Sequence, residues 1–259
     1  IAPDSISLLT IGAAMGGIVI WSTLAWYYGL PTSESHGLVA GLAGASFATA
    51  GPGALVAAGW SKVFIGILFS TFLGFGGGLL LMTAIYWICR RWTPGRVSVT
   101  FRILQIFSAA FMAFSHGSND GKKFMGVFAV ALMLGGVMAH FSIPLWVMIL
   151  CALVMGIGTA SGGWRIIKTM GIKMTKLEPV QGFAAEMGAA SVIEFATRLG
   201  IPLSTTHTIN TAIMGVGASK RFSAVRWGVT GQIVMAWILT FPVCAGIAWT
   251  VARLMTVIF

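Results

Sequence analysis

Gly29-Leu30-Pro31-Thr32-Ser33-Glu34-Ser35-His36 returns later in the chain as Gly200-Ile201-Pro202-Leu203-Ser204-Thr205-Thr206-His207. The offset is 171 residues, and Gly, Pro, Ser and His coincide at four of the eight positions. Ser35 aligns with Thr206 as a hydroxyl pair, and Gly44 aligns with Gly215 at the same offset. Proline suits the first position of a helix, where no backbone donor is lost. The Ser and Thr residues after it then fall in a first turn whose N–H groups have no partner within the helix. The stretches 30–48 and 201–219 are too short and too rich in Ser, Thr and Gly for ordinary membrane spans. We read them as half-helices or re-entrant segments.

The surroundings are those of a membrane. Of 259 residues, 57% are hydrophobic and only 8% charged, against roughly 25% charged in soluble domains. Mean hydropathy is +0.92. Glycine occurs 34 times, which suits helices whose backbones approach closely. This composition excludes an ordinary soluble globular protein. The net charge of +10 would suggest nucleic acid in a soluble chain. Here the basic residues cluster at 90–102, 165–176 and 220–226, between apolar stretches. Orientation by cytoplasmic Lys and Arg explains them, and no nucleic acid is implied. Cys89, Cys151 and Cys244 are isolated, so neither a disulfide framework nor a zinc site is supported.

A spanning helix needs about 20 apolar residues. Residues 6–28, 62–89, 143–163 and 224–257 meet that, and 179–199 is a moderately apolar helix with Glu186 and Glu194. Residues 103–139 are apolar but interrupted by His116-Gly117-Ser118-Asn119-Asp120-Gly121-Lys122-Lys123. That interruption predicts a broken helix whose polar break faces protein or water. The expected fold class is all-α: a polytopic membrane protein with inverted repeats and broken or re-entrant half-helices. Residues 1–89 form the remainder of a first repeat, 90–102 a basic loop, and 103–259 a second repeat.

Duplicated segments of this kind mark transporters that bind substrate between their repeats. First-turn amides, hydroxyls and the positive helix end make an oxyanion cradle. Two facing cradles would surround a tetrahedral anion, with Ser33, Ser35, Ser204, Thr205 and Thr206 as the donors. A carboxylate at the depth of Asp120 is costly unless it binds a cation or shuttles a proton. Asn119 and Asp120 are therefore the coupling-ion candidates, and freed carbonyls of a broken helix would help to hold Na⁺. Lys122 and Lys123 follow directly and could pair with Asp120, contact the anion or snorkel to an interface, with Lys123 the candidate for anion contact.

His116–Gly126 resembles the second signature of the inorganic phosphate transporter (Pit) family. Pro202-Leu203-Ser204-Thr205-Thr206-His207-Thr208, continuing to Ala218, resembles that family's second half-helix. Arg226-Trp227-Gly228, Ala236-Trp237 and Thr240-Phe241-Pro242 resemble its tail. The resemblance covers essentially the whole chain. It implies symport of inorganic phosphate, driven by Na⁺ or H⁺, by alternating access between two inverted repeats. Some relatives look like sulfate carriers. Two residues depart from the pattern. Lys122 stands where the family often has Gln, and Glu34 where it often has a small hydroxyl residue. Glu34 is thus a further coupling-ion candidate. By the repeat offset, the first counterpart of Asn119-Asp120 would fall about 52 residues before Ile1. The expectation is a C-terminal portion that lacks the first Asn-Asp signature and does not transport alone.

His36 and His207 occupy matched positions and are pathway candidates, as are His116 and Glu186. Glu194 is expected to pair with Arg198, its i+4 neighbour. No GxSxG elbow, HExxH pair or Gly-rich phosphate loop is present. An intramembrane enzyme and an anion channel remain as alternatives to a carrier, and no catalytic residue, metal or organic cofactor is implied. The expected partners are inorganic phosphate and membrane lipid, with room for a homodimer and with the N-terminal half of the same polypeptide missing. The expected location is a bacterial inner or plasma membrane.

Overall fold

The computed structural model describes residues 1–258. Its elements are helical. They are α1 (Leu8–Tyr28), α2 (Glu34–Ala50), α3 (Ala57–Cys89), α4 (Pro94–Leu134), α5 (Leu145–Gly162), α6 (Trp164–Lys168), α7 (Pro179–Arg198), α8 (Thr205–Lys220) and α9 (Trp227–Ile258). Helices α1, α3, α4, α5 and α9 are long and apolar enough to cross a membrane. The protein is a multi-pass membrane protein. Helices α2 and α8, with 17 and 16 residues, fall short of the roughly 20 a span needs. They are the short segments expected from the Gly-x-Pro-x-Ser signal.

The local reason is the same at both. Gly29 and Gly200 each have φ +68°, a left-handed conformation that ends α1 and α7 at little cost only for glycine. The N–H of Leu30 donates to Ala25 O at 2.9 Å, and that of Ile201 to Ala196 O at 3.0 Å. Ser33 then caps α2, its Oγ accepting from His36 N at 3.4 Å. Ser204 caps α8, accepting from His207 N at 3.2 Å. Each bond recurs at the repeat offset, so the sequence repeat is also a repeat of backbone geometry.

Two expectations are corrected. The polar stretch His116–Lys123 does not break its helix, because α4 runs unbroken through all 41 residues from Pro94 to Leu134. Gly117 and Gly121 weaken a helix by only about 1 kcal/mol each, and the stretch has no proline. The unwound carbonyls anticipated for Na⁺ are therefore absent from α4. The basic stretch 90–102 is a loop only as far as Thr93. Pro94 starts α4 there, and Arg96 N donates to Thr93 Oγ1 at 3.4 Å.

The chain forms two compact units, each built from segments far apart in sequence. Among the described residues, one comprises 1–61, 120–165 and 233–258, and so contains α1, α2, the last part of α4, α5 and most of α9. Its core holds Ala13, Ala14, Ala45, Ala48, Ala248 and Ala252. The small residues bring backbones together, and a Cβ on Gly44 would lie 2.1 Å from Ala245 O. Trp237 Nε1 donates to Pro31 O at 2.9 Å, which ties α9 to the entry of α2. Replacing Trp237 by Phe strands this buried carbonyl and is expected to cost about 1–3 kcal/mol, read as a lower unfolding midpoint in detergent.

The other unit comprises 62–119 and 166–232, and contains most of α3, the first part of α4, and α7 and α8. Here Gly66, Ser70, Gly74 and Gly78 line one face of α3. Added Cβ atoms on Gly66, Gly74 and Gly78 would meet Pro202, Thr211 and Ala212 at 1.9–2.3 Å. The stripe has the i, i+4 spacing of small residues that lets membrane helices touch.

Candidate functional site

In the first unit, the opening turn of α2 meets α4 through a three-way contact. Lys123 Nζ donates to Ser35 Oγ at 2.6 Å and to Asp120 Oδ1 at 3.0 Å. Ser35 Oγ donates to the same carboxylate oxygen at 3.1 Å. Asp120 is 5% exposed, so its charge is balanced here by an ammonium and a hydroxyl rather than by water. Lys123 and Asp120 are one helical turn apart on α4, which brings their side chains together. The structure therefore assembles Ser35, Asp120 and Lys123, three of the residues the sequence singled out. Ser33 is buried and caps the same turn.

Glu34 turns elsewhere: Ser22 Oγ of α1 donates to its Oε2 at 2.8 Å. His36 is buried with its ring stacked on Phe241, the centroids 5.0 Å apart. Lys122 is exposed.

In the second unit, the opening turn of α8 carries Ser204, Thr205 and Thr206. Ser204 and Thr205 are buried, and Thr206 is half-buried like its counterpart Ser35. Ser204 N donates to Ser70 Oγ of α3 at 3.0 Å. The Ser204 hydroxyl also lies 2.8 Å from His207 Nδ1. Asn119 Nδ2 donates to Leu203 O at 3.5 Å, a long bond to the residue that precedes the cap. Asn119 and Asp120 are consecutive, yet each belongs to a different unit.

Glu186 is engaged by Ser108, whose Oγ donates to Oε2 at 2.5 Å. The expected Glu194–Arg198 pair is present at 2.9 Å. His116 is half-buried on α4. Sequence reasoning missed Ser22, Ser70 and Ser108, which hold the site residues rather than forming the motif, and it noted Trp237 only as part of the tail. Only Ser70 left a signal, as the polar member of the small-residue stripe on α3.

A family model described as the phosphate transporter family matches residues 1–95 and 90–248. The chain belongs to the phosphate transporter family. Within that family, a probable low-affinity inorganic phosphate transporter of Rhizobium meliloti (strain 1021) is 46% identical over 246 residues, covering 95% of this chain and 74% of that protein. A protein of Bacillus subtilis (strain 168) described in the same words is 36% identical over 252 residues, covering 97% and 76%. A solved structure described as the sodium-dependent phosphate transporter superposes with a TM-score of 0.83 at 20% identity, covering 100% of this chain and 83% of that one. That likeness establishes the fold as that of a phosphate transporter family member. Membership in a family of transporters also sets aside the intramembrane-enzyme alternative.

Proposed function

We propose that the protein moves inorganic phosphate across the membrane by alternating access, in symport with a cation. The observation that carries this is the Ser35–Lys123–Asp120 contact at the start of α2. A helix N-terminus and an ammonium attract an anion, while a carboxylate at membrane depth suits a cation or proton. Lys123 touches both elements. Phosphate binding to Ser35 and the α2 amides draws Lys123 Nζ toward the anion and off Asp120 Oδ1. The carboxylate is then left to take up Na⁺ or H⁺, which couples the two cargoes.

In this reading Ser33 and Ser35 are the neutral donors of the first unit, and Ser204, Thr205 and Thr206 those of the second, where Asn119 bonds to Leu203 O. Glu34 is a second carboxylate beside the α2 donors, and His36, His207, His116 and Glu186 are supporting residues of the pathway. The repeats are inverted. Names carried by relatives support phosphate as the cargo. Site chemistry agrees: protonated phosphate oxygens can donate to a carboxylate, and sulfate oxygens cannot.

The test is uptake of radiolabelled phosphate by proteoliposomes at fixed pH, with Na⁺ present or replaced by choline. Saturable uptake that collapses in choline names Na⁺, and uptake that survives choline but follows an imposed pH gradient names H⁺. Uptake indifferent to both gradients would rule out symport. Excess sulfate is expected to compete weakly, and equal competition would replace phosphate with tetrahedral oxyanions at large.

A further inference from the structure

The second unit holds a pocket of about 450 Å³ where α3 ends, α4 begins and α7 begins. Its walls include Tyr86, Arg90, Trp92, Val97, Glu178 and Val180. Because α3 and α4 are both long enough to span, their elbow at 90–93 lies at one surface of the membrane. Arg90, Arg91 and Arg96 crowd that elbow, and all three are exposed. None has a carboxylate within 4.0 Å among the described residues. Two are steered by aromatic rings instead. The Arg90 guanidinium carbon lies 5.2 Å from the Trp87 ring centre, and that of Arg96 lies 4.4 Å from Trp92. Such pairing holds the charge without neutralising it.

Most of the remaining lining is apolar, with Ile85, Val97, Pro179 and Val180 among it, and the neighbouring α3 residues Trp87 and Ile88 are 67% and 70% exposed, as suits contact with acyl chains. The lone acid, Glu178, caps α7, and its own N–H is taken by Gln181 Oε1 at 3.1 Å.

From this juxtaposition of three unneutralised arginines, an interfacial aromatic pair and an apolar wall, we infer that the elbow is a binding site for the headgroup of an anionic phospholipid. The arginines take the phosphodiester, the Trp and Tyr rings sit at headgroup level, and the glycerol and upper acyl carbons lie against Val97 and Val180. A free inorganic anion would use the charge but leave the apolar wall without a partner. Basic pockets at the ends of membrane helices are suited to such headgroups. The site is independent of the phosphate reading above.

The whole chain, purified in mild detergent, is compared by native mass spectrometry with phosphatidylglycerol and with phosphatidylcholine. Retention of one phosphatidylglycerol in preference to phosphatidylcholine is expected. The triple variant R90Q/R91Q/R96Q is expected to lose roughly 100-fold of that preference, about fivefold for each arginine. The matching lysine triple, R90K/R91K/R96K, keeps the charge and is expected to keep the lipid. Equal retention of the two lipids, an unchanged glutamine triple, or loss in the lysine triple as complete as in the glutamine triple would each overturn the assignment. So would release of the bound lipid by millimolar inorganic phosphate, which would make the elbow a site for the free anion.

Discussion

Replacing Asp120 by Asn is expected to lower gradient-driven phosphate uptake at least about 100-fold, or ~2.7 kcal/mol at roughly 1.36 kcal/mol per tenfold. The change keeps the shape of the side chain and removes only its charge. Two separate consequences follow. The first is structural. Lys123 Nζ loses the carboxylate 3.0 Å away, and stripping one partner from a largely buried ion pair costs about 3–5 kcal/mol. The second is functional, because the group proposed to take up the cation is gone. The single variant cannot separate them. Lys123→Gln and the double variant Asp120→Asn/Lys123→Gln can. In the double variant no charge is left uncompensated, so the unfolding midpoint recovers toward the parent. If Asp120 carries the coupling, uptake stays lost in that well-folded protein. Recovery of gradient-driven uptake together with the midpoint would reduce Asp120 to a structural mate of Lys123. The assay is labelled phosphate uptake into proteoliposomes, paired with thermal unfolding of the same preparations.

Much of this arrangement was readable from residue types alone, and the reason differs from place to place. Gly-x-Pro-x-Ser is local punctuation. A left-handed Gly ends one helix and a Ser-capped turn begins the next, so both half-helices could be placed within a few residues. The Asn119-Asp120 stretch was legible as chemistry but not as shape. A run of polar residues in an apolar stretch reads as a break only if those residues lack partners. Here Ser35, Lys123 and the Leu203 carbonyl supply them, and α4 stays whole. What the sequence could not convey is which helix packs on which. The stripe Gly66, Ser70, Gly74, Gly78 announces a close contact without naming its partner. The structure gives that partner as Pro202 and the first half of α8, as far as Ala212, 134 or more residues further along. Likewise Glu34 and Asp120 look alike as isolated membrane acids. One is turned to Ser22 and the other is bound to Lys123.

The matched glycines offer the largest expected effect on stability. A Cβ on Gly44 would stand 2.1 Å from Ala245 O, and one on Gly215 would stand 2.1 Å from Phe75 O. Both obstacles are backbone, so no side chain can swing away, and the helices must separate. Gly44→Ala and Gly215→Ala are each expected to destabilise by about 3 kcal/mol, the upper range of overpacking. The cost runs against propensity, since Ala favours a helix over Gly by roughly 1 kcal/mol. Gly76→Ala is the control. It lies on α3 among the contact glycines but has nothing within 4 Å of its added Cβ, so it should leave stability unchanged or raise it. Equal melting of all three variants in detergent would show that the short helices are not held by backbone contact. A selective loss at Gly44 and Gly215 would tie the position of each Ser-capped turn to the long helix behind it. Parting either contact would shift the hydroxyls proposed to bind the anion. Substitution at either glycine should therefore weaken phosphate affinity as well as stability, although neither glycine lies in the Ser-capped turns themselves.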